Sequence, residues 1–101
     1  MEIKFIPEAA SEYKSLDNSI KKLANKIIGK LEENPFLGEK LGNKHNIDLT
    51  GFYKIYFAKK TYRIVYRIVK NEIEIVEIWG IGKRDKMAVY KEVEKRLRER
   101  K

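Results

Sequence analysis

The chain has 101 residues, a formal net charge of +8, 43% hydrophobic and 38% charged residues, and no cysteine. That length fits one domain, residues 1–101, with a modest core. The missing cysteine excludes disulfides and thiolate chemistry and is compatible with a cytoplasmic setting. No apolar run approaches the roughly 18 residues of a membrane span, so no membrane partner is expected.

The opening MEIKFIPEAA mixes charges and reads as a strand rather than a signal peptide. Within it Glu2–Ile6 alternates, with Ile3 and Phe5 on one face. Pro7 suits the first position of a helix and Glu8 its positive end. Ala9, Tyr13 and Leu16 share a face, which predicts two to three helical turns. Asp17, Asn18 and Ser19 are capping residues before a second helix. There Ile20, Leu23, Ala24, Ile27, Ile28 and Leu31 form an apolar stripe opposite lysines. Asn34-Pro35 stops that helix, and the pair reads as a helical hairpin laid on a sheet. Residues 36–50 hold Gly38, Gly42, Asn43 and Asn46 without a period and read as a loop. His45 lies in this stretch as the sole histidine, with no second ligand beside it, and is read as a surface residue.

Three strands follow. Tyr53, Ile55 and Phe57 alternate with Phe52, Lys54 and Tyr56. After a turn at Ala58-Lys59-Lys60, Tyr62, Ile64, Tyr66 and Ile68 alternate with Arg63, Val65, Arg67 and Val69. Lys70-Asn71 then makes a tight connection. The third strand changes phase between Ile75 and Val76, which predicts a bulge or cover on both faces. Gly80-Ile81-Gly82 and Lys83-Arg84-Asp85 lead into a last helix from about Asp85 to Arg98. That helix carries Met87, Tyr90, Val93 or Glu94, and Leu97 on one side and ends in a cationic tail. The order β-α-α-β-β-β-α predicts an α+β fold, a mostly antiparallel sheet with the helical hairpin on one face and a C-terminal helix.

Charge separates the two halves. Residues 1–51 carry eight lysines against eight carboxylates, and residues 52–101 carry nine lysines and six arginines against seven. Such segregation favours a polyanion or an acidic protein as partner. The familiar catalytic kits are missing: no cysteine, no serine in a nucleophile elbow, no phosphate-binding loop and no apparent metal set. Glu72 and Glu74 beside the hairpin read as a solvated edge. What remains is cationic and phenolic. Lys54 and Arg63 hold matching phases of adjacent strands, Arg84 enters from the strand-to-helix turn, and Tyr90 from the helix. Such a set suits RNA phosphate and a pentavalent phosphorane, and it would activate a ribose 2′-hydroxyl if crowding lowered a lysine pKa.

Leu49-x-Gly51-x-Tyr53-Lys54, Tyr62-Arg63-Ile64-Val65-Tyr66, Ile81-Gly82-Lys83-Arg84 and Val89-Tyr90 together resemble the RelE branch of the RelE/ParE toxin superfamily. The resemblance implies a toxin of a type II toxin–antitoxin pair that enters the A site of a 70S-type ribosome and cuts mRNA there. It implies metal-independent attack of the 2′-OH on the adjacent phosphate, with no cofactor. On the matching positions, Lys54 corresponds to the first lysine of the family's K-x-K strand and Arg63 to the arginine that steadies transition-state charge. Arg84 corresponds to the arginine assisting the leaving group, and Tyr90 to the tyrosine positioning base or nucleophile. Tyr56 stands where the family keeps its second lysine, so three options stay open: Lys54 takes the proton, Tyr56 does so with a lowered phenol pKa, or activity is weak. Lys59, Lys60, Arg67, Lys83 and Lys86 are expected to add phosphate-binding charge. Expected partners are a RelB-like antitoxin, mRNA and rRNA on the ribosome. The antitoxin is expected to displace or loosen the last helix. A ParE-like gyrase inhibitor and a non-cleaving RNA-binding module are the alternatives.

Overall fold

The alternating segments of the second half pair into one sheet whose two faces are covered by different helices. The computed structural model describes residues 1–44, 46–70, 74–85 and 87–100. Strands β1 (Glu2–Phe5), β2 (Glu39–Lys40), β5 (Phe52–Phe57), β6 (Tyr62–Lys70) and β7 (Glu74–Lys83) form a five-stranded sheet in the order β1-β7-β6-β5-β2. Only the β1–β7 pairing is parallel; β7–β6, β6–β5 and β5–β2 are antiparallel. This is the α+β, mostly antiparallel architecture that the sequence predicts.

Side chains alternate across a strand, so register decides which residues meet. Ile55, Ile64 and Ile81 share one face, which α2 (Asn18–Glu33) covers with its buried Ala24 and Leu31. Helix α1 (Pro7–Lys14) starts at a proline, as expected, and reaches the edge of β7 just beyond the end of β1. There the Glu12 carboxylate accepts a hydrogen bond from the Ile81 amide at 3.3 Å, so an edge amide is not left open. Helix α3 (Ala88–Glu99) covers the opposite face with Tyr90 and Val93. Its close approach depends on Gly80, where an added Cβ would lie 2.7 Å from a Val93 methyl.

Several expectations are corrected. Residues 36–50 are not a plain loop. They contain a 3-10 turn at Pro35–Leu37, strand β2, and a hairpin of β3 (Asn43–Lys44) and β4 (Ile47–Asp48). Two-residue strands are too short to show a period, and what holds them is backbone pairing. Gly38 makes this possible: its amide donates to the Tyr66 hydroxyl at 3.0 Å, which donates to the Pro35 carbonyl at 2.7 Å. A Cβ at Gly38 would stand 2.6 Å from the Lys54 carbonyl oxygen. The sheet irregularity falls at Val65/Tyr66, opposite Trp79, rather than between Ile75 and Val76. Strand β7 runs on through Lys83, and α3 starts at Ala88 rather than Asp85.

The basic C-terminal stretch lies at the end of α3, with Arg96 and Arg98 in its last turn. Arg96 is buried; its guanidinium donates to both Glu12 carboxylate oxygens, at 2.9 and 3.1 Å, and to the Trp79 carbonyl at 2.9 Å. Arg100 donates to Glu8 at 2.6 Å. These bonds fasten the C-terminal half of α3 to α1. The connection at Asn71, and the readings of His45, Glu72, Ile73 and Lys86, lie outside the described residues. Among the described residues no helix is long and apolar enough to cross a membrane.

Candidate functional site

Lys54 and Tyr56 lie two apart on β5, so both project to the face that α3 only partly covers. Tyr56 pairs directly with Arg63 across β5–β6, and Arg63 with Gly82 across β6–β7. Arg84 follows the last residue of β7, where its amide donates to the Thr61 carbonyl at 2.7 Å. That bond ties the end of β7 to the β5–β6 turn and brings Arg84 over the same ring. Tyr90 enters from the first turn of α3. Five side chains from four elements thus converge.

The Tyr56 ring is their centre. The Arg84 guanidinium carbon lies 5.0 Å, the Lys54 Nζ 5.1 Å and the Arg63 guanidinium carbon 5.5 Å from its centroid. Arg63 also lies 4.5 Å from the Tyr90 centroid. The Lys54 ammonium donates to the Tyr56 hydroxyl at 3.1 Å. Cation–π contact of this kind offsets part of the mutual repulsion of three cations. A carboxylate does little here. Glu39 on β2 stands 3.8 Å from Lys54 with three-quarters of its side chain exposed, and among the described residues Arg63 and Arg84 have no ion-pair partner. Glu39 arrives through the short β2 pairing, directly opposite Lys54 in register.

Exposure differs within the cluster. Arg84 is exposed, Lys54 and Tyr56 are half-buried, and Arg63 is only 3% exposed. The Arg63 Nε and the Tyr90 hydroxyl are both buried without a hydrogen-bond partner. Unsatisfied buried polar atoms cost about 1–3 kcal/mol each and are few in native folds, so two in one cluster call for an explanation.

The two phenols are pushed apart. The Lys54 hydrogen bond, aided by the nearby charges of Lys54 and Arg63, lowers the Tyr56 pKa from its ordinary 10.0. Burial raises that of Tyr90, against the field of Arg63 and Lys54. Lys54 itself is raised, chiefly by its hydrogen bond to Tyr56. A lysine with its pKa lowered by crowding is thus not what this cluster holds, because its neighbour is a phenol that stabilises the ammonium.

Lys59 and Lys60 are exposed on the β5–β6 turn, where Ala58, Lys59 and Lys60 all have positive φ. Lys83 is exposed at the end of β7, paired with Tyr62 at the same end of the sheet. Arg67 is elsewhere. It donates to Glu77 at 2.7 Å and lies over Trp79 at 4.7 Å, so its charge is already matched. Sequence reasoning missed Glu39, which no local pattern announces. Among the described residues no group of three or more His, Cys, Asp or Glu side chains is placed to hold a metal ion.

A family model described as the ParE toxin of the type II toxin–antitoxin system parDE matches residues 3–88. The chain belongs to this toxin family. A RelE-like toxin protein of Escherichia coli is 28% identical over 98 residues, covering 96% of this chain and 97% of the relative. The mRNA interferase toxin RelE of E. coli K12 is 28% identical over 94 residues, covering 92% and 93%. The free-state structure of a doubly substituted E. coli RelE superposes with a TM-score of 0.74 at 26% identity, over 95% of this chain and 96% of that one. These likenesses put the toxin on the RelE-like branch of the RelE/ParE superfamily, as its motifs suggest.

Proposed function

We propose that this toxin is a ribosome-dependent endoribonuclease that cuts mRNA in the A site and so stops translation. The observation that carries this reading is the Tyr56 phenol, held among Lys54, Arg63 and Arg84 with its pKa lowered. When two phenols in one site are driven in opposite directions, the lowered one suits the base and the raised one stays a neutral donor. Tyr56 takes the proton from the ribose 2′-OH, and the resulting oxygen attacks the adjacent phosphorus. Lys54 remains an ammonium and holds the Tyr56 oxygen as an acceptor. Arg63, buried behind both rings, supplies fixed positive charge to the phosphorane where the surroundings screen it least. Arg84, exposed at the mouth, offsets charge on the departing 5′-oxygen, which takes a proton from solvent. The products are a 2′,3′-cyclic phosphate and a 5′-hydroxyl.

Lys59, Lys60 and Lys83 at the same end of the sheet add phosphate contacts that position the strand without reading its sequence. Family membership in a toxin–antitoxin system supports a RelB-like antitoxin as the protein partner, and the rRNA around the A site as a second polyanionic surface. An antitoxin that engages α3 would change amide exchange across residues 88–99, while unchanged protection on binding would remove that helix from its action. The mRNA test is primer extension on message from translating ribosomes after induction. Cuts inside A-site codons are expected for the parent and none for Arg84→Ala. A gyrase-directed toxin would leave message intact and block supercoiling, and a non-cleaving binder would leave both untouched.

A further inference from the structure

In the proposed cleavage the Tyr56 oxygen stands beside the ribose 2′-oxygen, which attacks phosphorus in line with the departing 5′-oxygen. Where the strand lacks that 2′-hydroxyl, the oxygen left beside the line of attack is Tyr56's own. We infer that Tyr56 is a nucleophile toward a strand with 2′-deoxyribose at the cut, forming a phosphotyrosyl bond in place of the cyclic phosphate. This second activity rests on the cleavage reading for where the strand lies, and it adds a substrate class that 2′-hydroxyl attack excludes.

Nucleophile and base need the same setting, an oxygen that ionises among fixed cations. Tyrosine is one of the side chains that form covalent intermediates when a neighbour activates them. The Lys54 ammonium donates to the Tyr56 hydroxyl at 3.1 Å, so a phenolate there is held with its charge matched. The Arg84 and Arg63 guanidinium carbons, 5.0 and 5.5 Å from the ring centroid, supply the charge that a phosphorane needs whichever oxygen attacks. Other oxygens of the cluster fit the part less well. The Tyr90 hydroxyl is buried, on a residue only 7% exposed, and burial pushes its pKa up. Glu39 is three-quarters exposed and, among the described residues, ion-pairs with Lys54 at 3.8 Å and with neither arginine. Tyr56 is half-buried, on the face that α3 only partly covers.

The step balances without a co-reactant. Tyr56 gives its proton to solvent, its oxygen bonds to phosphorus, and the bond from phosphorus to the 5′-oxygen breaks. That oxygen takes a proton from solvent, so no net proton is consumed. The products are one strand joined through its 3′-phosphate to Tyr56 and another ending in a 5′-hydroxyl. A ribose 2′-hydroxyl beside such a bond would displace the phenol and close the cyclic phosphate, so the adduct persists only where that hydroxyl is missing. The Arg63 Nε and the Tyr90 hydroxyl, both buried without a partner, are donors that nonbridging phosphoryl oxygens can accept from.

The test uses ribosomes holding a message whose A-site codon is 2′-deoxyribose throughout, with a 5′-bridging sulfur at each of its linkages. A thiolate leaves readily and returns poorly, which traps the adduct. The parent toxin is expected to gain the mass of the 5′ fragment, with the new bond mapping to Tyr56 in its peptides, as the 3′ fragment appears with a 5′-thiol. Tyr56→Phe, which keeps the ring and its cations, is expected to lose adduct and release together. A message left uncut overturns the nucleophile, as does release without an adduct, which assigns the attack to water. So does an adduct on another residue, or one that Tyr56→Phe still forms. An all-ribose message in parallel keeps the two readings apart. If the parent leaves it intact yet forms the Tyr56 adduct on the deoxy message, 2′-hydroxyl cleavage fails and the nucleophile stands. If the parent cuts the all-ribose message and the deoxy message stays whole, the nucleophile fails and cleavage stands.

Discussion

Two aromatic rings on the same face of the sheet each gather arginines, and they are built to opposite ends. Around Trp79, Arg67 lies 4.7 Å and Arg100 5.1 Å from the ring centroid, and both cations are matched. Glu77 binds Arg67 at 2.7 Å and also accepts from the Trp79 indole at 2.6 Å, and Glu8 binds Arg100 at 2.6 Å. Around Tyr56 the same kinds of residue assemble, and among the described residues the carboxylate beside them is the exposed Glu39, 3.8 Å from Lys54. The Trp79 cluster is closed in charge and hydrogen bonding, so it fastens β6, β7, α1 and α3. The Tyr56 cluster is open, with an orphaned guanidinium nitrogen and an orphaned hydroxyl at its base. A cation on an aromatic face is therefore not a functional signal. What sets the Tyr56 cluster apart is that, among the described residues, Arg63 and Arg84 have no ion-pair partner.

The contrast is broken most sharply by paired substitutions. Arg63→Met keeps bulk and removes the buried charge. Cleavage in a single-turnover ribosome assay should fall by about 10²–10³-fold, the usual cost of one transition-state charge partner, with little change in unfolding temperature. Next, Arg96→Met removes the fork to Glu12 and the bond to the Trp79 carbonyl. Hydrogen bonds to charged groups are worth about 1.5–3 kcal/mol. The Glu12 side chain is about one-third exposed and regains water, so a loss of about 2 kcal/mol is expected by denaturant unfolding. Arg67→Met, at the closed cluster, should cost about 1 kcal/mol. That corresponds to roughly 4–8 °C for a domain of this size, with cleavage unchanged. A large fall in cleavage for Arg67→Met would erase the distinction between the rings. Smallest of all, Glu39→Gln removes the carboxylate that stands 3.8 Å from Lys54. Stability should not move, and binding to single-stranded RNA should strengthen modestly at low salt.

The sheet and α2 were legible because their periods run long enough to register. Tyr62–Val69 keeps a period of two, and Ile20–Leu31 follows one helical stripe. The short β2, β3 and β4 were not, since two residues have no period and their pairing is set by distant backbone, with Gly38 allowing the approach. The bulge was visible as a phase change but misplaced. A sequence marks the switch of faces, while the partner strand decides where the extra residue, Trp79, is absorbed. In the candidate site, Lys54, Arg63, Arg84 and Tyr90 could be gathered from strand phase and motif. Whether a cation is spoken for could not be read. Arg67 and Glu77 meet across a hairpin, Arg96 and Glu12 across nearly the whole chain, and Lys54 and Glu39 through an unforeseen edge strand. The position that departs from the family's second lysine, Tyr56, proves to be the ring the cations surround.

The pH dependence of single-turnover mRNA cleavage on ribosomes, for the parent and for Tyr56→Phe, tests the central claim most directly. A base must be deprotonated to act, and the Tyr56 pKa is lowered from 10.0 by the Lys54 hydrogen bond. The parent rate should therefore rise with pH with its midpoint below that of an ordinary phenol, and Tyr56→Phe should lose both that limb and most of the rate. Equal rates and the same pH profile in the two proteins would contradict the account.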